Sequence, residues 1–361
     1  MLSMSGCFIF RRALNVKSTT AAVSFEEVSE DLMKEVSVTE WSGMVPEGME
    51  VKYVVVKKVY SDGSNRDVDI FDYDKAGRIS YHNRENSAYH DEWKVFYNDD
   101  GTIARREHKS IKATGSAPAY PDYFADYNYN EKKQLVSYTV NMSGKGETTY
   151  KFEYKEGHLV HADDNSGGKS YTYSLEPDYY DYCAVVSDDI DATPEVKIYK
   201  RTYSDDSFDR ILTEQYEYDE YETQYVYNGM ILEGWYHVNQ WGYKTKYDAK
   251  GNMTEEQGPD GSIIEKWDYN ERGDETLHER YDEGKLKEKT KTTYDYDTAG
   301  NKLTETSDWW TETDGEEYKF ISKTTYKYGD HGLLISEVVE IGGRFTNMTV
   351  YAYKAIVVPA E

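Results

Sequence analysis

The side chains of this 361-residue chain that could carry chemistry are eight histidines, 68 carboxylates and seven tryptophans. The histidines, at positions 82, 90, 108, 158, 161, 237, 278 and 331, are scattered. Only His158 and His161 are close-set, and on a strand they would project to opposite faces, which spoils them as joint metal ligands. Asp163-Asp-Asn-Ser-Gly167 has the look of a calcium loop, but Ser174 stands where an acidic residue should close the twelve-residue frame, so a hairpin loop is the better expectation. A carboxylate pair could support glycoside hydrolysis, yet no spacing singles out two of the 68. The chain has no glycine-rich phosphate loop, no Gly-x-Ser-x-Gly elbow and no His-Glu-x-x-His. The expectation is a protein that is not an enzyme and has no cofactor, no metal site and no catalytic residue, with a glycan-active enzyme as an outside alternative.

The tryptophans point to binding. Trp235, Trp241, Trp267, Trp309 and Trp310 all lie in the second half of the chain. Tryptophan and tyrosine beside carboxylates and amides form stacking platforms for sugars or peptides. The same residues also serve as packing in a thin sheet. Adjacent Trp309 and Trp310 must face opposite sides of a strand. These five are the candidate ligand-binding residues.

The elements that position them announce themselves as a repeat. Tyr73-Asp-Lys-Ala-Gly77, Tyr97-Asn-Asp-Asp-Gly101, Tyr247-Asp-Ala-Lys-Gly251, Tyr269-Asn-Glu-Arg-Gly273, Tyr296-Asp-Thr-Ala-Gly300 and Tyr328-Gly-Asp-His-Gly332 share one spacing. Recurrence every ~20–30 residues is the mark of a repeat architecture. Asp first and Gly fourth suit a type I turn closed by a left-handed residue, the three-residue hairpin with a bulge. That geometry sets Tyr73 opposite Ile79, Phe71 opposite Tyr81, Tyr97 opposite Ile103, Tyr247 opposite Met253 and Tyr328 opposite Leu334. At Tyr296 the apolar partner, Leu303, comes one residue late, which predicts a different bulge there. Shorter turns follow Tyr154, Tyr227 and Tyr281, and Asp-Gly pairs at Asp62, Asp260 and Asp314 close the opposite strand ends. Two alternating turn types predict an up-and-down antiparallel meander.

The predicted fold is therefore all-β, an antiparallel β-hairpin repeat array forming a twisted meander or partly wrapped sheet. A short amphipathic helix is expected over Phe25 to Lys34, where residues 25, 28, 32 and 33 are apolar. Breaks in the pattern divide the chain into an N-terminal segment at 1–48, a first hairpin block at 49–175 and a second at 195–361. The second block ends in the strand-like Thr349 to Val358, expected to cap the last edge.

Composition agrees with a thin sheet, since 37 tyrosines supply strand formers whose rings bury while their hydroxyls stay wet. A net charge of −26 argues against nucleic acid or an anionic membrane as partner, because both reward Lys and Arg. The only cysteines are Cys7 and Cys183, too few for a disulfide framework. No apolar run approaches the ~18 residues of a membrane span. The first 25 residues contain no Asp or Glu. Met4-Ser-Gly-Cys7 resembles a lipobox, which makes Cys7 a candidate lipid-bearing residue and a lipid anchor a candidate attachment. An organelle presequence and a plain N-terminal tail are the other readings.

Tyr247-Asp-Ala-Lys-Gly-Asn-Met-Thr254, followed by Pro259-Asp-Gly-Ser262 and Trp267-Asp-Tyr-Asn270, resembles an RHS or YD repeat, and residues 70–82 and 294–306 resemble single copies. The short form at 281–286 also resembles MORN-like repeats. The RHS resemblance implies a hairpin array of the kind found in bacterial surface and secreted proteins, polymorphic toxins among them. The units here are too few for a large shell, so the expected form is a small surface or secreted module, extracellular in location. It would bind a glycan or a protein through its aromatic sheet face. The alternative is a structural spacer or shell component of a larger secreted, toxin-associated assembly.

Overall fold

A computed structural model of the protein describes residues 25–113, 121–155, 158–164, 170–172, 180–186, 196–203, 211–216, 222–228, 231–237, 244–258, 260–313 and 315–360. The chain opens with helix α1 (Phe25–Leu32) and a 3-10 turn (Met33–Glu35), then β1 (Ser37–Thr39) and β2 (Met49–Ser61). A first run of strands follows: β3 (Arg66–Tyr73), β4 (Ile79–Glu85), β5 (Tyr89–Tyr97), β6 (Ile103–Ala113), β7 (Tyr123–Tyr129), β8 (Leu135–Met142), β9 (Gly146–Lys155), β10 (His158–Asp164) and β11 (Ser170–Thr172). The second run begins with β12 (Tyr180–Val186), β13 (Val196–Tyr203), β14 (Ile211–Tyr216), β15 (Glu222–Asn228), β16 (Ile231–His237), β17 (Lys244–Tyr247) and β18 (Met253–Gln257). It continues with β19 (Ile263–Tyr269), β20 (Glu275–Asp282), β21 (Lys285–Tyr296), β22 (Lys302–Thr313), β23 (Glu316–Tyr328), β24 (Leu334–Ile341) and β25 (Arg344–Pro359). Within each run every strand pairs antiparallel with the next, as the two alternating turn types require.

The two runs form one sheet because the last strand pairs with the first long one. β25 lies antiparallel to β2 from Met49 opposite Pro359 to Ser61 opposite Met348, and pairs with β24 on its other side. Rather than capping an outer edge, the stretch Thr349 to Val358 sits in the middle of the sheet. Its length explains this: 16 residues give β25 room for β24 along its first half and the short parallel β1 along its second. Among the described residues no ladder joins β11 to β12, so the sheet is not closed, although β12 comes beside β10.

The turns have the expected chemistry. In Asp74 to Gly77 the Gly77 N–H donates to the Asp74 carbonyl at 3.1 Å, and the Asp74 carboxylate accepts from the Ala76 and Arg78 N–H groups, both at 2.9 Å. Asp248, Asn270 and Asp297 repeat this cradle. A side-chain oxygen one residue past the tyrosine thus satisfies two turn amides, which is why Asp or Asn stands there. Tyr73 faces Ile79, Tyr97 faces Ile103, Tyr247 faces Met253 and Tyr328 faces Leu334, as expected.

Two registers differ from the sequence reading. Phe71 lies opposite His82, not Tyr81, because a bulge between Asp72 and Tyr73 adds a residue to the return strand. Tyr296 lies opposite Lys302 and uses the same bulge as the other copies, so no different bulge is needed there. The turn fixes the register, and Leu303 is left 38% exposed.

The tyrosines hold neighbouring hairpins together. The hydroxyl of Tyr97 donates to the carbonyl of Ile79 at 3.0 Å, Tyr154 to Leu135 at 3.0 Å and Tyr353 to Leu334 at 2.8 Å. Tyr294 does the same to Glu275. Each accepting residue is the one opposite the tyrosine of a preceding turn, where the bulge interrupts the ladder. Phenylalanine would fill the same space without satisfying that carbonyl, at a cost of about 1 kcal/mol or more.

Burial alternates along the strands and so distinguishes the two faces. On one face lie Asp91, Trp93 and Val95 of β5, Tyr123, Ala125 and Tyr127 of β7, and Thr290 and Thr292 of β21, all buried. No helix covers this face, the inner face, among the described residues. A core of Ala125, Tyr127, Leu135, Tyr138, Val140, Phe152, Leu159 and Ala162 fills it in the first run. On the outer face α1, helical as predicted, lays Val28 and Leu32 onto Val59, Val338, Met348 and Val350. It thereby bridges the β24–β25–β2 junction, and Lys57 and Arg66 both pair with Glu35 just beyond the helix.

The glycines of the turns offer a test of this geometry. Gly77 has φ 80°, and a Cβ there would approach Cγ1 of Val358 to 2.9 Å; Gly251 has φ 85° with open space around it. Gly251→Ala is expected to cost only the left-handed backbone penalty of about 1–2 kcal/mol. Gly77→Ala should cost measurably more in urea unfolding, because it also pushes on the β25 strand. Equal costs would contradict the placement of β25 beside the first turn.

Candidate ligand-binding face

Cross-strand register brings three of the five predicted tryptophans to the inner face. Paired residues project from the same side of a sheet, so each ladder rung defines a row. One row runs Trp267, His278, Thr290, Trp309, Phe320 across β19 to β23. A second, two residues away along the strands, runs Tyr225, Trp235, Thr245, Glu256, Glu265, Arg280, Glu288 and Thr311. Such rows stand ~7 Å apart. Trp235, Trp267 and Trp309 therefore share the inner face, whereas Trp310 points outward between Lys289 and Lys319. Trp241 and Cys7 lie outside the described residues.

The three inner tryptophans differ in what they can offer. Trp267 is only 6% exposed and is stacked on the His278 ring, with centroids 5.1 Å apart and planes at 11°, so it stiffens the face rather than presenting a free surface. Trp309 is half-buried and stacks on Phe320 at 5.6 Å, while its buried Nε1–H has no hydrogen-bond partner among the described residues. Trp235 is half-buried and donates its Nε1–H to the Tyr247 hydroxyl at 2.8 Å. A cleft of about 380 Å³ lies at the turn-side end beside Trp267, lined also by Asp248, Thr254, Tyr269 and Asn270.

Between the rings the face is acidic and hydroxyl-rich. Glu265 accepts from Nε2 of His278 at 3.1 Å and lies 3.8 Å from Nε of Arg280. Glu305 lies 3.4 Å from both Lys302 and the Tyr326 hydroxyl, and Lys302 also pairs with Asp274 at 2.9 Å beneath the Tyr294 ring. Thr290, Thr292, Ser307 and Thr311 are buried on the same face. Burial pushes the Glu275 carboxyl up, opposed by His278 and reinforced by Glu305 and Glu265. Burial and the facing Glu265 push Glu256 up. For His278 burial acts downward, but the hydrogen bond it donates to Glu265 and the charges of Glu265, Glu275 and Glu288 outweigh it, and the imidazole is raised.

The first run carries a counterpart. Phe71, His82, Trp93, His108 and Tyr123 form one row, each ring 4.5 to 5.5 Å from the next. Asp69 holds His82 at 2.9 Å, and Asp91 faces His108 at 3.4 Å. This row is closed: Trp93 is 2% exposed. His82, His108 and His278, which looked scattered in the chain, are thus stacking partners. A signal existed in the chain. An aromatic two residues before a turn tyrosine meets a histidine eleven residues later, as Phe71 meets His82 and Trp267 meets His278. Glu256, Glu265 and Thr245 carried no such signal.

Among the described residues no cluster of three or more His, Cys, Asp or Glu side chains could hold a metal ion, and no helix is long and apolar enough to cross a membrane. No family model matches the chain, and no curated protein matches it in sequence. Among solved structures, the chain is similar to one in the TcdB2-TccC3-TEV crystal structure at 13% identity and a TM-score of 0.32, over 79% of this chain and 18% of that one. It is similar to a chain of the Photorhabdus luminescens Tc holotoxin pore at 11% identity and a TM-score of 0.28, over 77% and 16%. A porin-like protein from Bacteroides uniformis is matched at 11% identity and a TM-score of 0.25, over 88% and 99%. The chain spans less than a fifth of the length of the first two. At such scores the fold and the site rest on the geometry described above.

His278 gives this face a pH signature. Its raised pKa means that the His278–Glu265 attraction is fully present below the unfolded histidine value of 6.5 and is lost as pH rises through the folded value. Stability is expected to fall across that interval, and His278→Gln should remove the corresponding part of the fall in unfolding measurements made on either side of it. An identical pH dependence in the variant would exclude the pair.

Proposed function

We propose that this protein is a non-catalytic hairpin-repeat module that binds a glycan along the inner face of β16 to β23. The observation that carries the reading is the shared face of Trp235 and Trp309, half-buried rings set among carboxylates and hydroxyls on a rigid sheet. Ring faces stack on the apolar faces of sugars, and the surrounding acceptors and donors match sugar hydroxyls. The unpartnered Trp309 Nε1–H is a donor that a bound hydroxyl would satisfy. An array of the RHS-like kind exposed outside the cell fits this role, with the sheet as frame and the side chains as the reader.

Intrinsic tryptophan fluorescence, titrated across a panel of oligosaccharides, tests the reading. A saturable change is expected, weakened about tenfold or more by Trp309→Ala and left intact by Trp310→Ala, since only the first faces the ligand. Trp309→Phe, which keeps the Phe320 stack, separates lost binding from lost packing. Loss of the response with Trp310→Ala alone would place the ligand on the outer face. A flat response to every sugar would favour the role of spacer or shell component. Release of new reducing ends, abolished by changing one inner carboxylate, would make the protein a glycan-active enzyme.

A further inference from the structure

One stretch of the inner face is incomplete in a specific way. Glu256 of β18 and Glu265 of β19 stand directly opposite one another on the ladder. Like charges in that position repel. Glu265 is served from its far side by His278 and Arg280. Glu256, half-buried, has no ion pair or hydrogen bond among the described residues. On its other flank Thr245, 0% exposed, presents an Oγ1 with no partner. Next in the row comes the ring of Trp235. Three acceptors and an aromatic ring therefore stand side by side in one row, and among the described residues no cation pairs with Glu256.

We propose that the Thr245–Glu256–Glu265 stretch receives the ammonium group of an amino sugar, so that the glycan read by this face carries free amines. An ammonium has three donors and no acceptor. The Glu256 carboxylate, the remaining lone pairs of Glu265 and the Thr245 hydroxyl supply three acceptors. Its charge relieves the repulsion between the two glutamates, and Trp235 stacks on the sugar ring that bears it. A divalent metal fits less well, since two carboxylates and one hydroxyl fall short of the 6–8 oxygens that calcium takes. This inference rests on the glycan reading and narrows it to one substrate class.

The test compares a glucosamine hexamer with its fully N-acetylated counterpart on the intact chain, by fluorescence titration at about 0.15 M salt to suppress non-specific attraction to the acidic surface. The free-amine hexamer is expected to bind about tenfold tighter or more, as hydrogen bonds to charged groups do. Glu256→Gln should bring the two affinities to within about twofold, and Thr245→Val should narrow the gap in the same direction. Asp308→Asn removes one negative charge from the outer face of β22 and should leave the preference untouched. Equal binding of both hexamers by the native chain overturns the ammonium site but keeps the glycan reading. So does a preference that survives Glu256→Gln, or one that Asp308→Asn reduces as much. No binding of either hexamer overturns the ammonium site, and it overturns the glycan reading too when the rest of the panel is also silent.

Discussion

The structure depends on one hydrogen bond made again and again: a tyrosine hydroxyl on one hairpin donating to a backbone carbonyl at the base of the hairpin before it. Each bulged turn leaves its ladder interrupted at the residue opposite the turn tyrosine, and an unsatisfied carbonyl there would weaken every junction in the array. At four of the junctions a following tyrosine closes that gap. Around it, Arg78 lies over the Tyr97 ring at 4.1 Å and Arg272 over Tyr296 at 4.4 Å. Lys250 reaches the Glu271 carbonyl at 2.9 Å, tying one turn to the next. The turn side of the sheet is thus locked hairpin to hairpin by contacts each worth about 1 kcal/mol, and their repetition lets a single layer hold without a second sheet against it.

That lock determines what the two faces can do. Because the bulge sits at the same place in every copy, residues at matching distances from the turns fall into straight rows across many strands. Rows of rings fill the inner face of the first run and close it. In the second run the rows mix rings with glutamates and threonines and do not close, and this difference in side-chain type, not in backbone, separates the closed face from the proposed binding face. The β2–β25 pairing makes the two runs one body, and α1 secures it from outside with Val28 and Leu32.

Much of this was legible in the chain. The tyrosine, the Asx residue and the glycine each state a local requirement, so the turns, the meander, the helix at residue 25 and the opposed facing of Trp309 and Trp310 follow from short-range rules. What failed was arithmetic beyond the turn: Phe71 meets His82 because the bulge adds a residue, and Tyr296 keeps the common register although this leaves Leu303 exposed. The meeting of β25 with β2 joins residues some 300 positions apart, and no local preference encodes it. The candidate site was half visible. Aromatic residues are few enough to notice, but Glu256 is one carboxylate in 68, and only its place opposite Glu265 distinguishes it.

The inner face of the second run, and not the charged outer face, is the proposed working surface. Hydroxyl-radical footprinting read by mass spectrometry, with and without a bound amino-sugar oligomer, addresses it directly. Trp235 and Trp309 should lose reactivity on binding while Trp310, on the same strand as Trp309 but on the other face, keeps its own. Protection of Trp310 with Trp309 unchanged would contradict the account.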